Sequence, residues 1–119
     1  MKERKKKFIN IIKIEMEDLI EDLNNLVDDY KEKKEKDLIT NYVFMENLAL
    51  IQHEMYGIGK FSEIVCALNL EDYKDIEEIS DHIKDILEKK IATSDFANCL
   101  FPMISRRIVK ASKYVKDYL

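Results

Sequence analysis

The side chains here that could do chemistry are two histidines, two cysteines and scattered carboxylates, and their spacing decides which chemistry is open. Glu46 and His53 are seven residues apart and share a helix face, but two turns separate them by about 10 Å along the axis, so they cannot flank one metal ion. His53 and Glu54 point to different faces, which removes a local base and its orienting carboxylate. His82, near Asp81 and Asp85, could meet His53 only through tertiary packing. A di-iron carboxylate bundle needs Glu three residues before His on two helices, and those positions hold Leu50 and Ile79. The string Gly57-Ile58-Gly59-Lys60 has glycines and a lysine but neither the length nor the preceding strand of a phosphate loop. Cys66 and Cys99 form no C-x-x-C pair, and the expectation is two buried thiols in a reducing compartment. No catalytic residue, metal or cofactor is expected from these patterns.

The elements that must position these groups are helices. Two Gly and one Pro in 119 residues lie far below the roughly 12% of average usage, leaving little from which to build hairpins or glycine-rich loops. Ile9, Ile12, Met16, Leu19, Leu23, Leu26 and Tyr30 keep alternating three-and-four spacing, widened by Ile20 and Val27, which predicts an amphipathic helix from about 8 to 35. Lys31 to Lys36 contains no apolar residue, and Asp37 is the expected cap of the next helix.

Leu38 to Leu70 holds only four charged residues, Glu46, Glu54, Lys60 and Glu63, and is apolar all round the wheel. Such a helix must be covered on more than one side, as the central helix of the bundle or as a subunit interface. Tyr42, Glu46, His53, Glu54 and Lys60 are then expected among apolar neighbours. Phe44, Ile51, Met55, Ile58 and Phe61 are the candidate partner surface, with core as the competing account. Gly57 and Gly59 mark either a close helix crossing or a break, and the unbroken phase of the apolar residues favours a continuous, kinked helix.

Asp75 with Glu78 resembles a capping box, opening a third helix that carries Ile76, Ile79, Ile83 and Ile86 to about Lys90. Thr93, Ser94 and Asp95 supply the next start signal. Phe101, Ile104, Ile108, Ala111, Val115 and Tyr118 predict a last helix, with a short fifth helical turn before Pro102. The expected fold is all-α over residues 1–119, one domain, an antiparallel four-helix bundle of two long and two shorter helices.

The net charge is −4, which argues against wholesale binding to nucleic acid or anionic lipid. The ends are nonetheless basic: Met1 to Lys7 carries +4 and Ile91 to Leu119 carries +3, whereas Glu71 to Lys90 carries −4. Arg106, Lys110 and Lys113 form a stripe with Arg107 beside it, a candidate basic patch. Asn10 and Lys13 interrupt the apolar stretch after the lysine-rich start, so neither a leader nor a membrane span is expected and the expected location is cytoplasmic. These features favour a non-catalytic helical interaction or adaptor protein that self-associates, most simply as a homodimer. A small regulator contacting nucleic acid through its basic termini is the alternative.

Overall fold

The computed structural model describes residues 2–119 and places them in four helices: α1 (Lys2–Glu35), α2 (Asn41–Cys66), α3 (Ile76–Ala92) and α4 (Leu100–Tyr118), with one 3-10 turn at Leu70–Asp72. The chain is an all-helical four-helix bundle, and no strand occurs among the described residues. The first helix starts six residues before its apolar stripe. Its lysine-rich opening turn is held by the rest of the chain: Arg4 Nη2 donates to Val115 O at 3.1 Å, and Lys5 Nζ donates to Leu70 O and Tyr73 O.

Both sharp stops use residues other than glycine. Asp37 takes φ 59° and Ser94 φ 64°. At each, two backbone bonds close the helix end: Asp37 N to Lys34 O with Leu38 N to Lys33 O, and Ser94 N to Ile91 O with Asp95 N to Lys90 O. That paired pattern is a Schellman motif, which consumes orphan carbonyls of the last turn. Asp37 therefore ends α1 rather than opening α2, whose cap is Thr40, accepting from Val43 N at 3.1 Å. Likewise Thr93 to Asp95 terminate α3 instead of starting another helix. No helical turn precedes α4; Ala97 to Cys99 form a turn whose bonds lead into it. Pro102 falls in the first turn of α4, where a missing N–H costs no helical bond. The Asp75 cap forms as expected, accepting from Glu78 N at 2.9 Å.

The central helix is α1, not α2. Phe8, Ile12, Met16 and Leu19 of α1 are buried among Ile58, Phe61 and Val65 of α2, Ile79, Ile83 and Leu87 of α3, and Leu100, Ile104 and Ile108 of α4. The two shorter helices cover only the first half of α1. Burial accordingly fades along it: Leu23 is buried, whereas Val27 and Tyr30 are half-buried and Leu26 is exposed. Beyond that point α1 and the start of α2 form a projecting two-helix hairpin, and the molecule is elongated, 55 × 31 × 20 Å.

The helix α2 runs unbroken through both glycines. Gly57 is the close crossing: a Cβ there would sit 2.5 Å from Leu100 Cδ1 and 3.3 Å from the Phe96 ring. Gly59 faces open space.

Candidate interaction surface

Four of the five residues expected to form a partner surface, Phe44, Ile51, Ile58 and Phe61, are buried in this chain's own core, and Met55 is half-buried. The correction has a simple cause. These residues lie on the side of α2 that rests on α1, and the apolar residues left over lie on its flanks and outer side.

On those sides, Tyr42, Val43, Met45, Leu50 and Tyr56 are exposed to 75, 39, 54, 60 and 50%, and Leu38 just before the helix to 69%. Their number follows from the uncharged sequence of α2. An amphipathic surface helix places charge on its wet face, and here Glu46 is the one charged residue between Leu38 and His53. The polar groups expected among apolar neighbours are mostly in water: Tyr42, Glu46, His53 and Lys60 are exposed, while Glu54 is half-buried.

The loop between α3 and α4 meets α2 over the turn from His53 to Gly57. There Asp95 O meets His53 Nε2 at 3.2 Å, Cys99 Sγ donates to Glu54 Oε1 at 3.0 Å, and Phe96 and Leu100 close over Gly57. Val43 and Leu50 precede Gly57 by fourteen and seven residues and thus share its face. That face is covered at Gly57 and bare above it. The hairpin tip carries a groove of about 290 Å³, lined in part by Leu26, Tyr30, Lys33 and Leu38. Lys34 Nζ sits 5.0 Å from the Phe44 ring centre, and Lys33 Nζ 5.5 Å from that of Tyr30.

Two of the four residues of the candidate basic patch, Arg107 and Lys110, are engaged within the chain. Arg107 donates to Glu15 and, at 3.0 Å, to Asp18 of α1, and Lys110 lies 3.3 Å from Glu15. Burial pushes the Glu15 carboxyl up, but the bonds from Arg107 and Lys110 outweigh it and hold the group below the ordinary carboxylate value. Bonds from Glu15 and Asp18 correspondingly raise Arg107. These contacts pin α4 to α1. Arg106 and Lys113 are exposed, and Lys113 borders a polar groove with Glu77 and Asp81. The basic ends do come together, through Arg4 and Val115, yet Lys116 at that end is paired with Glu77.

Both cysteines are exposed free thiols, not buried ones. Although its residue is exposed overall, partial desolvation of the Cys99 sulfur where it meets Glu54, and then the Glu54 carboxylate, push the thiol up to about 11, so it is the protonated donor to Glu54. His82 is exposed and lies against Tyr73, ring centres 5.6 Å apart and tilted by 46°, whereas His53 meets Asp95 O. Among the described residues no group of three or more His, Cys, Asp and Glu side chains could hold a metal ion, and no helix is long and apolar enough to cross a membrane. The exposed cluster on α2 lacked a sequence signal of its own, because which half of an all-apolar wheel faces a neighbour depends on where α4 begins. No protein-family model matches the chain, and no curated protein or solved structure matches it.

Proposed function

We propose that this protein is a non-catalytic helical interaction module of the cytoplasm that self-associates through the outward side of the α1–α2 hairpin. The observation that carries the reading is the run of apolar side chains left in water by that hairpin: Leu38, Tyr42, Val43, Met45, Leu50 and Tyr56. With roughly 150–250 Å² for a fully exposed large side chain, the six leave on the order of 700 Å² uncovered. Five-residue spacing sets Met45 about 140° round the helix from Leu50, so this area wraps the outer half of α2, and the part beside α4 is the side bearing Val43 and Leu50. At about 25 cal/mol per Å², covering such a face is a driving force that no surface salt bridge in this chain matches.

Sedimentation velocity from micromolar to millimolar protein tests the reading. The wild-type chain should dimerise over that range. Leu50→Glu and Val43→Glu, which alter side chains already in water, should keep the helical signal and the melting temperature of dilute protein and lose the dimer. A wild-type chain that stays monomeric at millimolar concentration overturns the proposal, as does a dimer indifferent to both substitutions.

A further inference from the structure

We infer that the partner seated on the hairpin is the same hairpin of a second copy, docked antiparallel to the first, so that two projecting helix pairs complete an intermolecular four-helix bundle. The inference rests on the self-association reading above and specifies its geometry.

The first ground is continuity. On α1, the residues Glu15, Asp22, Leu26, Asp29 and Lys33 follow three-, four- and seven-residue steps and lie on one face. Glu15 on that face is held by Arg107 and Lys110 of α4. On α2, Val43 and Leu50 continue the face that Phe96 and Leu100 cover at Gly57. The lane that α4 occupies beside Glu15 and Gly57 thus extends toward the tip, bare and centred on Leu26, Val43 and Leu50, all of them exposed. One helix of a partner hairpin would occupy this lane as α4 occupies its own part.

The second ground is charge, which sets the direction. Residues 14–30 carry seven acids and no Lys or Arg: Glu15, Glu17, Asp18, Glu21, Asp22, Asp28 and Asp29. The tip that follows carries Lys31, Lys33, Lys34 and Lys36 against Glu32, Glu35 and Asp37, with Lys36 paired to Glu32 at 2.7 Å. Parallel docking sets acid on acid and lysine on lysine. Antiparallel docking about a point between Val27 and Asp28 lays each tip along residues 18–24 of the other copy, which hold Asp18, Glu21 and Asp22, with Lys33 level with Asp22 and Asp28 and Asp29 beside Val27 and Leu26. Like charges set opposite one another disfavour the first arrangement, and charge complementarity selects the second.

Cross-linking in a Cys66→Ser, Cys99→Ser background tests this. Under mild oxidation the Leu26→Cys chain, near the two-fold axis, should form a covalent dimer, and so should an equimolar mixture of Asp22→Cys and Lys33→Cys chains. Lys33→Cys alone should not. Raising salt from about 0.05 to about 0.5 M should weaken the dimer several-fold as the opposed charges are screened. Efficient cross-linking of Lys33→Cys alone, or a dimer that tightens with salt, overturns antiparallel docking. A dimer that sediments as such but cross-links at none of these positions overturns hairpin pairing and leaves self-association standing. A monomer by sedimentation removes both.

Discussion

Replacing each of the two glycines of α2 by alanine separates packing from helix propensity inside one element. Each substitution adds the same methyl to a helix interior and should gain about 1 kcal/mol in propensity. At Gly59 nothing lies within 4 Å of the new Cβ, so that gain stands in full. At Gly57 the Cβ meets Leu100 Cδ1 at 2.5 Å and the Phe96 ring at 3.3 Å. Neither neighbour can swing into water, since Leu100 is 0% and Phe96 2% exposed. The core must therefore shift, and overpacking of this kind costs roughly 1–3 kcal/mol. Because the propensity gain is common to both, Gly57→Ala should be less stable than Gly59→Ala by about 1–3 kcal/mol, with Gly59→Ala above wild type. Urea denaturation followed by circular dichroism reads this as a midpoint above wild type for Gly59→Ala and at or below it for Gly57→Ala, at unchanged slope. Equal stability of the two variants would refute the seating of α4 on α2, and with it the level at which the hairpin becomes bare.

Other consequences follow from single contacts. Asp37→Gly and Ser94→Gly should each raise stability by about 0.5–1 kcal/mol, because both positions hold left-handed backbone that glycine adopts freely, whereas Asp37→Ala should not; thermal melts distinguish them. Glu15 has its carboxyl lowered from 4.5 in the folded state, so the stability it contributes is present above that value and is lost as pH falls through the depressed one. Glu15→Gln should flatten the acid limb of a stability–pH curve, and Arg107→Ala should cost roughly 1–3 kcal/mol at neutral pH. Cys99, pushed up to about 11, should alkylate at pH 8 about a hundredfold more slowly than the same thiol in the unfolded chain, with Glu54→Gln faster than wild type. Mass-resolved iodoacetamide labelling measures this, and a native rate equal to the unfolded rate would contradict the Cys99–Glu54 bond.

What could be read from the residues alone was the local physics. The helical steps from Ile9 through Leu23 and the Asp75 cap depend on neighbours three or four residues apart, and both stand in the fold. The misreadings have separate causes. Asp37 and Ser94 look like helix starters because their side chains suit that role, yet each ends a helix in a conformation usually given to glycine, in a chain whose only glycines lie in α2. Lys2 to Lys7 have no apolar stripe to announce a helix; Arg4 and Lys5 are fixed by carbonyls 65 to 111 residues away. The role of α2 depended on relative helix lengths. With α3 and α4 reaching only half of α1, the long apolar helix is left at the edge and its second apolar side in water.

Methyl NMR on a dilution series tests most directly whether that side is an interface. The Leu26, Val43 and Leu50 methyl resonances should move together as concentration rises, while Ile14 and Val109, exposed to 61 and 53% elsewhere on the molecule, stay fixed as internal controls. Stationary hairpin methyls up to millimolar protein, or movement confined to Ile14 and Val109, would contradict the account.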